Sequence, residues 1–236
     1  MITEETIFIS LGNGETISGI LTTPTKLPKS GAEAFIIAHG QGNGMNHPLL
    51  DTFAKDLTAA GHISLRFNFF FREKGKETAD KKDILYLAWQ SAVRFIEHES
   101  GLNPDRIFIM GKSLGAKIAA LMTSEGLLKP TGLIFLGYPL HPMGHEEKIQ
   151  AEHFAKITAP MLFFAGTRDP FCHLPALKSI FSTMNLNSNS RLEIVDGGDH
   201  SFEVPKAFYL PTKEIYKHMV KKTLQWHNKI FPKGKE

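Results

Sequence analysis

The chain has 236 residues, 42% of them hydrophobic and 22% charged, a composition typical of an ordinary globular protein with one domain over residues 1–236. The formal net charge of only +3 argues against a nucleic-acid partner. The single cysteine, Cys172, excludes an intramolecular disulfide, and no apolar run approaches the length of a membrane span.

The two ends of the chain differ in charge. Residues 1–5 are acidic and lack the charged and apolar regions of a signal peptide, so we expect a cytoplasmic protein without a membrane partner. Lysines recur from Lys213 to Lys235, and a solvated helix face followed by a tail explains them better than a nucleic-acid site.

The first hundred residues contain both strand and helix patterns. Short β-type runs separated by Gly12-Asn13-Gly14 predict a hairpin, and later apolar runs predict buried strands. The predicted strands here are residues 6–11, 16–21, 34–38 and 62–67. Apolar residues at helical spacing predict helices over residues 48–60 and 80–98. A glycine-rich loop, residues 39–44, follows the third strand.

The middle of the chain contains Gly111-Lys112-Ser113-Leu114-Gly115. An apolar strand over residues 106–110 precedes it and a helix over residues 116–122 follows it. Strand, G-x-S-x-G and helix form the context of a nucleophile elbow, in which the serine lies at the tip of a sharp turn and the glycines avoid collisions. The alternative is an ordinary strand-to-helix turn with Ser113 as the cap.

The remaining elements continue the alternation. Further strands are predicted at residues 132–136, 161–165 and 191–195, and further helices at residues 149–155, 174–184 and 211–230. Strands that alternate with helices indicate an α/β fold with a mostly parallel sheet of about eight strands and helices on both faces. The leading hairpin adds antiparallel edge strands. No interval is long enough for a large lid.

Three loops at strand ends carry the residues of a catalytic triad. Ser113 follows the elbow strand, Asp169 follows the strand ending at residue 165, and His200 follows the last strand. A serine hydroxyl needs a base to take its proton and an acid to orient that base. The order Ser, Asp, His is the one expected of this architecture. Asp196 and Asp199 are the rival acids, and a surface turn histidine is the alternative for His200.

The expected oxyanion hole and pocket surround this triad. The N–H of Leu114, directly after the nucleophile, and that of Gln41, in the loop after residue 38, are the expected donors. The candidate pocket residues are Gly40, Lys112, Asn68, Phe69 and Tyr138. Lys112 is expected to face solvent or the helix flank, with a cation near an acidic substrate as the alternative. His39 is expected to brace its loop rather than act as a base.

We predict no metal and no cofactor. His141 and His145 form a candidate pair, but no third ligand with suitable spacing appears near them. Cys172 is interpreted as a packing residue rather than a nucleophile.

Six segments of the chain match the sequence motifs of a known superfamily. They are Ala38-His39-Gly40, Leu65-Arg66-Phe67-Asn68-Phe69, the elbow, Gly137-Tyr138-Pro139-Leu140-His141-Pro142, Gly166-Thr167-Arg168-Asp169-Pro170 and Gly198-Asp199-His200. Through them the chain resembles the α/β-hydrolase superfamily. It is most similar to the branch of the testis-expressed hydrolase-like protein, the third regulatory subunit of the NSL acetyltransferase complex and bacterial predicted hydrolases. More distantly it is similar to dienelactone hydrolases, in which a cysteine stands in place of Ser113. The resemblance implies the fold and the Ser113–Asp169–His200 triad.

The expected function is therefore that of a serine hydrolase (EC 3.1.1) acting on carboxylic esters or small acyl substrates. An interaction module with a vestigial site is the alternative from another class, and thioesterase or peptidase activity would use the same triad. Monomer and homodimer both stay open, and nothing in the sequence supports a protein partner.

Overall fold

One mixed sheet runs through the computed structural model, which describes residues 1–27, 31–184, 186–205 and 211–232. Over those residues the strands are β1 (Ile2–Ser10), β2 (Thr16–Pro24), β3 (Glu33–Ala38), β4 (Ile63–Phe67), β5 (Arg106–Lys112), β6 (Gly132–Leu136), β7 (Met161–Gly166) and β8 (Arg191–Val195). Their order across the sheet is β1-β2-β4-β3-β5-β6-β7-β8. In this part of the chain the β1–β2 and β2–β4 pairs are antiparallel, and the other five pairs of neighbouring strands are parallel. The predicted α/β class with a leading antiparallel hairpin is confirmed.

The helices of the described residues are α1 (Pro48–Ala59), α2 (Phe70–Glu73), α3 (Lys82–Arg94), α4 (Leu114–Ser124), α5 (Leu174–Thr183) and α6 (Thr212–Ile230). A π-helical turn, Phe95–Glu99, extends α3, so the helix predicted over residues 80–98 changes geometry before its end. The helix predicted over residues 149–155 is a 3-10 helix, Glu152–Lys156. Helix α2 was not predicted, because a segment of four residues is too short to show helical periodicity.

The helices cover both faces of the sheet. In β3 every residue is buried, and Ala34, Ile36 and Ala38 pack in one apolar cluster with residues of α3 and α4. The alternate residues Phe35 and Ile37 pack on the opposite face with residues of α1 and α6. This two-sided burial explains why the strand is apolar without alternation.

The parallel strands end at one edge of the sheet. Ala38 at the end of β3 pairs in register with Gly111 of β5, and Gly166 of β7 pairs with Val195 of β8. The loops that follow these strands therefore emerge side by side, as expected for parallel strands with common direction.

The C-terminal helix α6 is amphipathic. Met219 and Trp226 are buried, whereas Lys217 and Lys221 are exposed, which matches the solvated face predicted for this segment. Lys233 and Lys235, included in that prediction, lie outside the described residues. Across the described ranges, no helix is both long enough and apolar enough to cross a bilayer.

Candidate active site

The elbow turn between β5 and α4 holds Ser113 in an unusual conformation, with φ 49° and ψ −112°. A positive φ is rare for a residue other than glycine and marks a strained, sharp turn. A Cβ on Gly111 would collide with the backbone of Gly115 and Ala116, and a Cβ on Gly115 would lie 2.8 Å from the His39 carbonyl oxygen. The two glycines therefore allow the helix to pass close to β5 and the neighbouring loop.

Ser113, His200 and Asp169 form a continuous hydrogen-bonded series. His200 Nε2 lies 2.8 Å from Ser113 Oγ, and His200 Nδ1 lies 2.8 Å and 2.9 Å from the two carboxylate oxygens of Asp169. An ionised carboxylate only accepts hydrogen bonds, so Nδ1 carries the ring proton and Nε2 is free to accept from the serine hydroxyl. The structure thus brings together the three residues that the strand-end loops predicted.

Asp169 is held in place by burial and by a second hydrogen bond. Its side chain is 0% exposed, and its Oδ1 also accepts from the backbone N–H of Phe171 at 2.9 Å. The ring of Phe171 packs against the imidazole of His200, with centroids 4.6 Å apart. These contacts fix both the acid and the plane of the imidazole.

The rival acids have other partners. Asp199 Oδ1 accepts from the backbone N–H groups of Ser201 and Glu203, at 2.8 Å and 2.9 Å. Asp196 Oδ1 accepts from the N–H of Gly197 at 3.1 Å. Both carboxylates stabilise the turn that carries His200, and neither takes the place of Asp169 at the imidazole.

The loop after β3 lies against Ser113. A Cβ on Gly40 would be 3.1 Å from the Cβ of Ser113, so the next residue, Gln41, reaches the same cleft. Leu114 is the first residue of α4, and its N–H therefore has no partner within the helix. Both amides expected to bind an oxyanion thus lie on segments adjacent to Ser113.

His39 braces this loop. Its Nδ1–H donates to the Gly40 carbonyl oxygen at 2.7 Å, and its Nε2 accepts from the N–H of Phe69 at 2.9 Å. Burial lowers the pKa of His39 to about 4, which keeps the ring neutral. With both nitrogens occupied, the ring fits the bracing role expected from the sequence.

An open cleft of about 580 Å³ surrounds Ser113, within the range of small-molecule sites. It is lined by Gly40, Gln41, Gly42, Asn43, Arg72, Glu77, Lys112, Ser113, Phe171, His200 and Ser201. Two of the expected pocket residues, Gly40 and Lys112, are among them. Arg72, Phe171 and Ser201 also line the cleft but were not predicted to do so. Arg72 was missed because the short helix α2, which carries it, was not predicted.

Three residues that were expected in the pocket lie elsewhere. Phe69 is fully buried against His39, and Asn68 accepts from the N–H of Met45 at 2.9 Å. Tyr138 is 1% exposed, its hydroxyl is 2.8 Å from His153 Nε2, and burial raises its pKa. Their positions after strand ends suggested that they line the cleft, but their side chains pack behind the loops and support them.

We expected Lys112 to face solvent or the helix flank, but its side chain does neither. It is 3% exposed, and its Nζ donates to the His200 carbonyl oxygen at 3.4 Å. Burial lowers its pKa, although Asp169 and Asp199 act in the opposite direction. The ammonium group therefore lies behind the imidazole and borders the cleft.

The histidine pair considered for a metal has separate partners. His141 Nδ1 donates to the Pro142 carbonyl oxygen, and its Nε2 accepts from the N–H of His173. His145 is exposed and lies 3.1 Å from Glu147. Burial raises the pKa of the Cys172 thiol to about 12, consistent with the packing role predicted for it.

Comparisons with known proteins agree with this arrangement of strands and loops. A family model described as "Alpha/beta hydrolase domain" matches residues 31–228. A Bradyrhizobium protein named as a probable 2-oxo-3-(5-oxofuran-2-ylidene)propanoate lactonase is 25% identical over 205 residues, with 80% of this chain and 80% of the relative covered.

Solved structures resemble the whole chain. A serine hydrolase homologue from Coxiella burnetii has a TM-score of 0.71 at 24% identity, covering 92% of this chain and 96% of its own. Dienelactone hydrolase from Anabaena variabilis has a TM-score of 0.71 at 18% identity, covering 96% and 97%. A serine hydrolase without a lid, from Xanthomonas campestris, has a TM-score of 0.71 at 15% identity, covering 98% and 97%.

At these identities the structural likeness concerns the fold. The expected resemblance to α/β hydrolases, including dienelactone hydrolases, is confirmed. The likeness to a serine hydrolase without a lid agrees with the prediction that no large lid is present. The narrower branch of the testis-expressed and NSL-complex proteins stays a prediction.

Proposed function

The chain belongs to the alpha/beta hydrolase domain family, and from that premise we propose that it is a serine hydrolase acting on carboxylic esters through an acyl-enzyme. Family membership and the relatives support a hydrolytic enzyme. The observation that carries the finer proposal is the 2.8 Å contact between Ser113 Oγ and His200 Nε2, continued at 2.8 Å to Asp169.

In the first half-reaction Ser113 Oγ attacks the acyl carbon while His200 Nε2 takes the hydroxyl proton. Asp169 holds the imidazole in the Nδ1–H tautomer and stabilises the positive charge that develops on it. The tetrahedral intermediate collapses, the bond to the alcohol oxygen breaks, and His200 returns the proton to that oxygen.

The second half-reaction repeats the geometry with water. His200 removes a proton from water, the hydroxide attacks the acyl-Ser113 carbon, and Ser113 leaves with the returned proton. In both steps the oxyanion would accept from the N–H groups of Leu114 and Gln41. Losing one such donor typically costs about 3–4 kcal/mol of barrier.

The lining of the cleft favours a small ester or lactone that bears a carboxylate. Among the described residues that line the cleft, Lys112 and Arg72 are cations and Glu77 is the one carboxylate, so cations outnumber anions in this lining. The Bradyrhizobium relative is named for a lactone that carries a propanoate group. A volume of about 580 Å³ suits a substrate of that size.

Rapid mixing with p-nitrophenyl acetate tests the proposal. We expect a burst of p-nitrophenol of about one equivalent per chain, followed by slower turnover, because acylation precedes deacylation. His200→Ala should lower turnover at least about a thousandfold. If the cations that line the cleft select a carboxylate-bearing substrate, lactones of the class for which the Bradyrhizobium relative is named should be hydrolysed too.

The same assay separates the alternatives. A folded protein without burst or turnover on acetyl, thioester and peptide substrates would support an interaction module instead. Turnover of thioesters or peptides, but not of oxygen esters, would move the assignment to those reactions on the same three residues.

A further inference from the structure

A second cluster of ionisable side chains lies at the opposite end of the sheet. Glu33 is the first residue of β3, and His62 directly precedes β4. His227 lies in the last turn of α6. Glu33 is 7% exposed, His62 is 3% exposed and His227 is fully buried. The active-site loop begins after the other end of β3, roughly 17 Å away at 3.3 Å per residue.

The three side chains converge on one carboxylate oxygen. Glu33 Oε2 lies 3.1 Å from His62 Nδ1 and 2.9 Å from His227 Nε2. The other oxygen, Oε1, is held by Arg106 at 3.0 Å. One carboxylate oxygen of Glu33 is therefore turned towards two imidazoles.

The two ring nitrogens of His227 have different neighbours. His227 Nδ1 lies 3.1 Å from Asn228 Oδ1, and its Nε2 lies 2.9 Å from the carboxylate oxygen of Glu33. Within the described residues, no group lies in hydrogen-bonding geometry with this buried nitrogen. The 2.9 Å approach of Nε2 to Glu33 is therefore not an aligned hydrogen bond, which leaves Nε2 available as a ligand atom.

We infer that Glu33, His62 and His227 form a binding site for a zinc ion, which is independent of the ester-hydrolysing site. Two imidazole nitrogens and one carboxylate oxygen are ligands that Zn²⁺ prefers. The donor atoms all lie within 4.8 Å of one another. Tetrahedral donors about 2.0–2.1 Å from zinc are about 3.3 Å apart, so the two nitrogen–oxygen distances of 3.1 Å and 2.9 Å need to lengthen by only a few tenths of an ångström.

Neighbouring features complete the site. Arg106 occupies Glu33 Oε1, which leaves Oε2 as a single donor and fixes the orientation of the carboxylate. A surface cavity of about 390 Å³ reaches His62 and Asn228. It supplies an entry path and room for water as the fourth ligand. The ion would tie the starts of β3 and β4 to the end of α6.

Metal analysis on the full chain tests the site directly. Chelator-treated, desalted protein is equilibrated with Zn²⁺ or Co²⁺, and bound metal is counted by mass spectrometry. We expect about one ion per chain, a tetrahedral visible spectrum for Co²⁺, and a rise in Tm of roughly 5–10 °C at about 100 times the Kd. Wild-type protein that retains no stoichiometric metal overturns the inference without any variant.

Matched variants locate the ion. His227→Gln and His62→Gln should each weaken binding by more than about 100-fold, since a ligand is lost. His145→Ala, in the exposed loop, and Ser113→Ala, in the cleft, should bind as the wild type does. Full binding by His227→Gln, or its loss in His145→Ala, would place the metal elsewhere and overturn the inference. Circular dichroism checks that each variant is folded.

Discussion

The backbone N–H of Phe69 donates a hydrogen bond of 2.9 Å to Nε2 of His39 and thereby joins the end of β4 to the loop that follows β3. The other nitrogen of His39 donates to the Gly40 carbonyl oxygen at 2.7 Å. Because Gly40 lies against Ser113, these two bonds hold the segment that carries Gln41 beside Ser113.

Removing this brace should slow the chemical step. In His39→Ala the loop loses its support, and we expect kcat for p-nitrophenyl acetate to fall about 10- to 100-fold, with KM changed by less than about twofold. The matched control is His153→Ala, which removes a partly buried histidine that is bonded to Tyr138 outside the cleft. Equal losses in both variants would show general destabilisation rather than displacement of the loop.

Gly115→Ala should destabilise the protein although it lies in a helix. Helix propensity alone predicts a gain of about 1 kcal/mol for alanine over glycine. The added Cβ, however, would lie 2.8 Å from the His39 carbonyl oxygen and 2.9 Å from Ala38. We expect a net loss of about 1–3 kcal/mol in the free energy of unfolding, measured with urea. Gly42→Ala, where a Cβ meets nothing within 4 Å, is the control, and a stabilised Gly115→Ala would contradict the close approach.

Stability should fall as the pH drops below 6.5. The pKa values of His39, His47 and His153 are lowered from 6.5 to about 4, in each case mainly by burial. Between these values the unfolded chain binds more protons than the folded one, so acid favours unfolding. For the fully buried His39 the complete shift amounts to about 3 kcal/mol.

Urea titrations at about pH 7 and pH 5 measure this effect. The free energy of unfolding should be lower at the acidic pH, and the difference should shrink in His39→Ala. An equal free energy at the two pH values would mean that these histidines are protonated without cost in the folded protein.

Arg72→Gln should weaken the preference for anionic substrates. The guanidinium borders the cleft, so its loss should raise KM for a carboxylate-bearing ester about tenfold and leave that of a neutral ester of equal size within about twofold. Lys74→Gln removes an exposed cation two residues further along the chain, which pairs with Glu15 outside the cleft, and should change neither value. Equal effects on both esters would show that Arg72 does not contact the charge.

The strand pattern and the order of Ser113, Asp169 and His200 could be read from the sequence, because continuous apolar runs identify buried strands and parallel strands end at one edge. The elbow glycines could also be read, since their spacing follows from the collision that a side chain would cause. These features depend on local sequence and on general rules of α/β topology.

The side-chain directions could not be read in this way. Phe69 and Tyr138 follow strand ends, as cleft residues do, yet they turn towards the interior. Lys112 carries a charge that usually faces solvent, but the close turn at Ser113 buries it behind His200. Glu33, His62 and His227 are far apart in sequence; the pairing of β3 with β4 brings Glu33 and His62 together, and the packing of α6 on one face of the sheet adds His227.

Covalent labelling with a fluorophosphonate tests the central claim most directly, because the probe reacts with an activated serine and mass spectrometry locates the adduct. The account predicts one adduct per chain on Ser113, none in Ser113→Ala, and full labelling in Ser201→Ala, whose serine lines the same cleft. Absence of labelling in the folded wild type, or labelling that survives in Ser113→Ala, would contradict it.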